Sequence, residues 1–182
     1  NDTLVGNSSA NTLIGGIGND LLQGLAGADI YVGGDGTDTV TYAEKTAAVN
    51  VSIDGSSPND GESGEGDTVN TDVENLIGGS GDDLITGNNS ANLLIGGLGA
   101  DIFIGDSGVD TVSYEGRTEN LTVALDAIAG NDGAVGEGDS IGTDLENIIG
   151  GTGNDRLVGS AFANTLSGGP GDDTLLGGGG NF

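Results

Sequence analysis

The residues of this sequence best suited to chemistry are aspartates that recur every nine positions within glycine-rich stretches. The stretch Gly15-Gly16-Ile17-Gly18-Asn19-Asp20-Leu21-Leu22-Gln23 reads G-G-x-G-x-D-x-U-x, where U is a large apolar residue, and similar stretches begin at Gly24 and Gly33. Glycine at positions 1, 2 and 4 permits a tight turn, because such turns need positive φ or a close approach of the backbone. A turn of this kind directs carbonyl oxygens inward, and the aspartate at position 6 adds a carboxylate. Carbonyl and carboxylate oxygens together suit a hard cation such as Ca²⁺.

The last three residues of each nonapeptide must form the element that positions these turns. Three residues are too few for a helix but suffice for a short strand, and position 8 carries an apolar side chain. One apolar residue in nine buries little surface alone, so the coils must stack on one another as in a solenoid. The residues at position 8 are Leu4, Leu13, Leu22, Tyr31, Val40, Ile85, Leu94, Phe103, Val112, Leu157, Leu166 and Leu175.

These nonapeptides resemble those of the RTX family, the repeats-in-toxin or hemolysin-type calcium-binding proteins. The resemblance implies an all-β fold, a right-handed parallel β-roll or β-helix solenoid with calcium-binding turns. Two nonapeptides would form one coil, so that residues 18 apart lie above one another. Each of several ions would lie between two stacked turns. The lower turn would supply the carbonyls of positions 2 and 4, the upper turn those of positions 1 and 3, and both turns the side chain of position 6.

Applied to this sequence, the pattern predicts metal sites of two strengths. Three sites have glycine-rich turns and two aspartates; their predicted ligands are Asp20, Asp38, Gly16, Gly18, Gly33 and Asp35, then Asp83, Asp101, Gly79, Gly81, Gly96 and Leu98, then Asp155, Asp173, Gly151, Gly153, Gly168 and Pro170. Weaker sites are expected where an earlier half-turn is missing or where asparagine, which has no charge, replaces aspartate. These are the pairs Asp2 with Asp20, Asn11 with Asp29 and Asn92 with Asp110. The partner of Asn164 is Phe182, so that site is expected to be lost. Aspartate and glycine also favour turns without metal, but their repetition in phase favours ligation.

Two irregular acidic segments, 42–77 and 114–149, separate the repeat blocks 1–41, 78–113 and 150–182. The segments have 36 residues each and align with one another residue for residue. Each contains an alternating apolar stretch that predicts a strand, Val49 to Ile53 in the first. Since 36 residues equal two coils, we expect residues 1–182 to form a single elongated RTX solenoid with acidic loops bulging from its side. Three short rolls joined by flexible linkers are the alternative.

The segments contain further acids and two tyrosines whose roles are less defined. Glu74 and Glu146 take the phase of the aspartate slot without its glycines, so a solvated face and ligation stay equally open. Tyr42 and Tyr114 follow apolar position-8 residues and are expected in the core or at a strand end. The loop acids are expected to solvate the loop rather than to bind metal; they are Asp60, Glu62, Asp67, Asp132 and Asp139.

The net charge of −26, from 29 acidic and 3 basic residues, limits the partners. Nucleic acid and anionic membrane surfaces are excluded, because binding to either depends on Lys and Arg. No membrane span is expected, since no apolar stretch reaches roughly 18 residues. The sequence has no His and no Cys, so no enzymatic activity is expected. Self-repulsion predicts a chain that stays expanded until divalent cations neutralise it.

The resemblance implies a calcium-binding module of a secreted bacterial protein. Such proteins are exported unfolded by type I secretion, with an uncleaved C-terminal signal, and fold on extracellular Ca²⁺, so the module would act as a structural and secretion-folding domain outside the cell or on its surface. One alternative is a rod segment of an extracellular adhesin, surface-layer or filament protein, with neighbouring copies or upstream domains as partners. Another is an accessory carbohydrate-binding module of a secreted polysaccharide epimerase or lyase. That alternative ranks lower because Lys45, Arg117 and Arg156 are too few to hold an acidic polysaccharide. With no initiator Met or N-terminal signal peptide, the sequence is expected to be a fragment or a processed form.

Overall fold

The computed structural model of the protein describes residues 1–56 and 58–179, which form short strands and no helix. Phe182, the expected partner of Asn164, lies outside the described residues. Within them no helix has the length and apolarity needed to cross a membrane. The strands are β1 Thr3–Val5, β2 Thr12–Ile17, β3 Leu21–Gln23, β4 Ile30–Asp35, β5 Thr39–Thr41, β6 Val49–Ser52, β7 Gly61–Glu62, β8 Thr68–Val69, β9 Asn75–Ile77, β10 Leu84–Thr86, β11 Leu93–Ile95, β12 Ile102–Ile104, β13 Thr111–Ser113, β14 Leu121–Ala124, β15 Gly133–Ala134, β16 Ser140–Ile141, β17 Asn147–Ile149, β18 Arg156–Val158, β19 Thr165–Ser167 and β20 Thr174–Leu176.

One face of the roll is a continuous parallel sheet of eight strands, which we call the long sheet. Its order is β1-β3-β5-β9-β11-β13-β17-β19. Within a repeat block its partners are 18 residues apart, so that Leu4 pairs with Leu22 and Leu22 with Val40. The opposite face has the same spacing, with Leu13 opposite Tyr31. The predicted all-β parallel β-roll is therefore confirmed, and so is the stacking of residues 18 apart.

The opposite face consists of three shorter sheets. Their orders are β2-β4-β8, β16-β12-β10-β6-β7 and β15-β14-β18-β20. All pairings in them are parallel except two hairpins, in which β6 pairs with β7 and β14 with β15. This face is interrupted at both irregular segments, where the long sheet continues.

Each irregular segment adds one coil to the long sheet, and the expectation of two coils was wrong. β5 pairs directly with β9, which places Val40 opposite Leu76, and β13 pairs directly with β17. The surplus residues fold back on the opposite face, because β6 pairs with β10 of the following block and β8 pairs with β4 of the preceding block. Since 36 is a multiple of 18, the inward-facing positions of the long sheet keep their phase.

The core is a narrow column of position-8 side chains between the two faces. Leu22, Val40 and Leu94 are completely buried. Burial of each such side chain stabilises the folded state by about 1.5–3 kcal/mol. The segments add aromatic rings to this column: Tyr42 packs edge-on against Tyr31 with ring centroids 6.0 Å apart. Tyr114 is placed in the same way against Phe103, at 6.5 Å. The core role predicted for Tyr42 and Tyr114 is therefore confirmed.

Candidate metal centre

The position-6 aspartates form two ladders, one on each edge of the roll, in which each carboxylate reaches the coil on its N-terminal side. Asp38 Oδ1 accepts a hydrogen bond from the backbone amide of Asp20 at 2.8 Å. The structure brings every predicted pair together in this way: Asp2 with Asp20, Asn11 with Asp29, Asp83 with Asp101, Asn92 with Asp110, and Asp155 with Asp173. The second oxygen of each carboxylate does not take part in this bond. It lies next to the glycine-rich turn of its own nonapeptide.

Several of these second oxygens have no hydrogen-bond donor. Among the described residues, Oδ2 of Asp20, Asp29, Asp38 and Asp110 is buried and unpaired. A buried acceptor without a partner costs free energy, and more so when it is charged. Aspartates that served only as turn formers would not need an orphaned oxygen, whereas a cation satisfies it. The donor set therefore fits a hard metal ion.

Carbonyl oxygens lie beside these carboxylates. The point where a Cβ of Gly15 would sit is 2.6 Å from Asp20 Oδ2 and 2.7 Å from the carbonyl oxygen of Gly33. The predicted position-1 carbonyls of the other two sites have the same placement, Gly96 beside Asp83 and Gly168 beside Asp155. A side chain at position 1 would fill this space, so glycine is required there.

The predicted carbonyls of positions 2 and 4 point at the next coil. A Cβ on Gly34, whose φ is +108°, would collide with the carbonyl oxygen of Gly16, and one on Gly36 with that of Gly18. The other sites repeat this arrangement with Gly79, Gly81, Gly151 and Gly153 as the lower residues.

The position-3 residues contact the lower turn less uniformly. The carbonyl of Asp35 accepts a hydrogen bond from the amide of Gly18 at 2.8 Å, whereas the amide of Leu98 donates to the carbonyl of Gly79 at 3.2 Å. Pro170 is exposed on its turn. The ligand role of all these carbonyls stays a prediction.

The three two-aspartate pairs are not equivalent in the structure. Asp20 and Asp38 both keep an unpaired buried oxygen. Asp83 Oδ2 instead accepts the amide of Gly79 at 2.6 Å, and Asp155 Oδ2 accepts that of Gly151 at 2.7 Å. Asp173 is only half-buried. The Asp20 and Asp38 pair in the first block is therefore the one whose oxygens most need a cation.

The side-chain amide of asparagine in the ladder finds hydrogen-bond partners within the protein. Asn92 Oδ1 accepts the amide of Asn88 at 2.7 Å, and Asn92 Nδ2 donates to the carbonyl of Glu74 at 3.0 Å. Asn164 contacts Ser160 and Glu146 in the same way. These bonds use the groups that a metal would need, in line with the weaker binding expected for the asparagine-containing pairs.

Four loop acids are buried, so the expectation that they solvate the loops was wrong. Asp60, Asp67, Asp132 and Asp139 are at most 2% exposed, while Glu62 is half-buried. The structural reason is that the chain folds back after each hairpin, which places these acids beside the aspartate ladder.

The buried loop acids belong to two kinds of contact. Asp67 Oδ1 accepts the amide of Asp29 at 2.7 Å and its Oδ2 accepts the hydroxyl of Tyr42 at 3.1 Å, so Asp67 takes the aspartate slot above Asp29. Asp139 does the same above Asp101. Asp60 joins β6 to β8 by accepting the amides of Ser52 and Val69. The Gly64-Glu65-Gly66-Asp67 pattern, with glycine two residues apart before an aspartate, was the available sequence signal.

Glu74 and Glu146 continue the other ladder across the segments. Oε2 of each accepts an aspartate amide at 2.8 Å, that of Asp38 for Glu74 and that of Asp110 for Glu146. The turns of Glu74 and Glu146 lack the glycines of the repeats. The longer glutamate side chain spans the distance from such a turn to the amide on the lower coil. Both residues are half-buried, so of the two roles left open, a solvated face does not describe them.

Burial raises the pKa of several ladder carboxyls. It raises the pKa of Asp101 to about 8 and those of Asp67, Asp110 and Asp139 to about 6. Desolvation disfavours the charged form, and neighbouring carboxylates add to the effect. A bound cation would oppose both causes and return these groups to the charged form.

Side chains alone do not build a metal site here. In residues 1–56 and 58–179 no group of three or more His, Cys, Asp or Glu is arranged to hold a metal ion. Backbone carbonyls and carboxylates, the two kinds of oxygen that the stacked turns bring together, are both ligands that Ca²⁺ accepts.

Comparison with known families agrees with this donor set. The family model for the RTX calcium-binding nonapeptide repeat (4 copies) matches residues 5–40, 74–112 and 149–181, more than half of the chain. No curated protein matches the chain.

Proposed function

The chain belongs to the RTX calcium-binding nonapeptide repeat family, and on that premise we propose that it folds when its turns bind extracellular Ca²⁺ and serves a secreted bacterial protein as a structural and secretion-folding domain. The observation that carries this proposal is the pair of unpaired buried oxygens on Asp20 and Asp38, which lie on adjacent coils. Ca²⁺ supplies positive charge and a flexible coordination shell when bound.

The residues proposed to hold the ions are those of the predicted sites. In the first site Asp20 and Asp38 supply carboxylates, and Gly16, Gly18 and Gly33 supply carbonyls, with Asp35 as the further carbonyl. The same roles fall to the corresponding residues of the second and third sites, which the ladder also stacks. Asp2, Asp29, Asn92 and Asp110 belong to weaker sites in this proposal.

Folding and binding are coupled in this proposal because the roll holds carboxylates that repel one another. The chain has a net charge of −26, and the ladder places acids on successive coils in buried positions. The narrow core provides few apolar side chains per coil to offset this repulsion. Binding energy therefore becomes folding energy.

Residues 1–182 form one elongated solenoid in this proposal, with its location outside the cell or on its surface. The long sheet supports it, since its strands pair through both irregular segments. The same continuity favours the second candidate function, a rod segment of an extracellular adhesin, surface-layer or filament protein. An accessory carbohydrate-binding role gains no support, because Lys45 and Arg117 are engaged by Glu65 and Glu137. No catalytic activity is proposed, since the ladder carboxylates are engaged by backbone amides.

Circular dichroism with and without a calcium chelator tests the proposal. We expect a largely disordered chain in chelator and a β-rich chain in millimolar Ca²⁺. Magnesium at the same concentration is the control, because it demands near-octahedral geometry and gives up water reluctantly. A chain that is already β-rich in chelator, or that folds equally in magnesium, would contradict the proposal.

A further inference from the structure

Two of the three basic residues lie inside the roll, at equivalent places in the two irregular segments. Lys45 and Arg117 are 72 positions apart, as are Glu65 and Glu137, which bind them. The Lys45 side chain is 8% exposed and contacts Glu65 Oε1. The Arg117 side chain is 15% exposed, with Nη1 2.8 Å from Glu137 Oε1. Lys and Arg are rarely buried unless they are paired, and each of these two cations has its own glutamate partner.

Arg117 contacts the groups that surround a metal position elsewhere in the roll. Its Nη1 donates to the carbonyl oxygen of Gly97 at 2.7 Å, and its Nη2 donates to Glu137 Oε2 at 3.1 Å. Gly97 is position 2 of a nonapeptide, the position whose carbonyl faces the next coil in the predicted sites. The acid of the upper coil is Asp139, which accepts the amide of Asp101 at 2.9 Å. The guanidinium thus lies between the lower-turn carbonyl of Gly97 and the upper-turn carboxylate of Glu137, two residues before Asp139.

Lys45 has the corresponding acid partner in the first segment, because its ammonium contacts Glu65 as Arg117 contacts Glu137. The coil there pairs Asp29 with Asp67 through the same amide bond, at 2.7 Å.

The turns that carry these cations also lack the position-6 acid. Lys45 lies on a turn stacked below Gly79, and the ladder bond from this turn to Asp83 starts at the amide of Val49, at 2.8 Å. In the second segment the amide of Leu121 donates to Asp155 in the same way, at 2.9 Å. The carboxylate ladder on this edge is therefore interrupted by one apolar residue in each segment.

We propose that Lys45 and Arg117 are built-in cations that take the calcium position between the Asp29 and Asp67 turns and between the Asp101 and Asp139 turns. Each segment then completes one coil interface with its own positive charge and takes up no ion there. The inference rests on the proposed function for the identity of the ion at the other turns. It predicts fewer bound ions than there are stacked acid pairs.

Removing the built-in charge should create a calcium site. In Arg117→Met the apolar stem is kept, and Glu137 and the carbonyl of Gly97 are left without their cation, next to Asp139 on the same turn. We expect this variant to bind one additional Ca²⁺ per chain relative to wild type, measured by calorimetric titration and by metal analysis after dialysis. Arg156→Met is the matched control, because Arg156 is exposed, and it should leave the ion count unchanged.

Terbium emission gives a second, local readout. The hydroxyl of Tyr114 donates to Asp139 Oδ2 at 2.7 Å, so a Tb³⁺ ion in the new site would be sensitised by this ring. We expect tyrosine-sensitised emission to increase in Arg117→Met and to return to the wild-type level in Arg117→Met/Glu137→Gln. Lys45→Met should behave like Arg117→Met, with Tyr42 as the sensitiser.

Three outcomes would overturn the inference. The first is an unchanged ion count and emission in Arg117→Met while wild type takes up calcium; this result leaves the proposed function intact. The second is an Arg117→Met variant that stays unfolded at every calcium concentration, because an ion then fails to replace the guanidinium. The third is a wild-type chain that takes up no calcium, which removes the proposed function and this inference together.

Discussion

Replacing Asp38 by asparagine should raise the calcium concentration at which the module folds. Asp38 is completely buried, its Oδ1 accepts the amide of Asp20 at 2.8 Å, and its Oδ2 is unpaired. Asparagine fits this slot, because Asn92 and Asn164 already occupy equivalent slots of the same ladder. The substitution therefore keeps the volume and removes one charged ligand, and by the precedent of Asn92 it exchanges the bond from the lower amide for a bond from Nδ2 to the lower carbonyl.

The size of the effect follows from binding linkage. A site that is occupied at 100 times its dissociation constant stabilises the folded state by about 2.7 kcal/mol, which is about a 100-fold change in the folded-to-unfolded ratio. If folding takes up about four ions, loss of one such site leaves three, and the 100-fold change then raises the calcium midpoint roughly five-fold. In chelator the effect is expected to be small, since removing an unpaired buried charge relieves about 1–3 kcal/mol and leaving the Asp20 amide without its acceptor costs a similar amount.

The measurement is a calcium titration followed by circular dichroism, together with the number of ions bound. Asp35→Asn is the matched control, because it removes the same charge from the same turn but its side chain is exposed. We expect Asp38→Asn to bind one ion fewer and to need more calcium. Asp35→Asn should keep the wild-type midpoint or need slightly less calcium, as it only reduces repulsion.

Equal behaviour of the two variants would refute the reasoning. The acids would then act as a diffuse negative surface and not as discrete sites.

Two further predictions concern the raised pKa values and the buried loop acids. Burial raises the pKa of Asp101 from 3.8 to about 8 and that of Asp110 to about 6. Between about pH 4 and pH 8 the folded chain therefore binds more protons than the unfolded chain. The stability of the metal-free fold then rises as the pH falls. In chelator we therefore expect more β-structure at pH 5 than at pH 8, and in calcium less, because protons compete with the ion; loss of structure on acidification in chelator would contradict this sign. Asp132→Ala should lower the free energy of unfolding in saturating calcium by about 1–3 kcal/mol, because it leaves the amide of Ala124, now bonded at 2.7 Å, buried without an acceptor. Glu115→Ala, which removes an exposed charge from the same segment, should leave thermal unfolding unchanged, and equal melting temperatures for the two variants would count against the burial argument.

Much of the fold could be predicted from the sequence because its information is periodic. The nine-residue period with one apolar residue at position 8 predicted which side chains face inward. The coil length of two nonapeptides came from the resemblance to the RTX family, and with it the pairing of Leu4 with Leu22 and the stacking of Asp20 below Asp38. The carbonyl ligands came from the resemblance to the RTX family and stay predictions.

The role of the irregular segments was decided only by the tertiary structure. An alternating stretch such as Val49 to Ile53 predicts a strand but not its partner, and the hairpin sends β6 forward and β8 back. As a result Asp67 lies 38 residues from its partner Asp29, and Val49 lies 34 residues from Asp83. Neither spacing is a multiple of 18, so no period in the sequence reveals the burial of Asp67 or the enclosure of Lys45 and Arg117. Only the reversal of the chain, which shifts the two ends of each hairpin in opposite directions, brings these side chains into the stack.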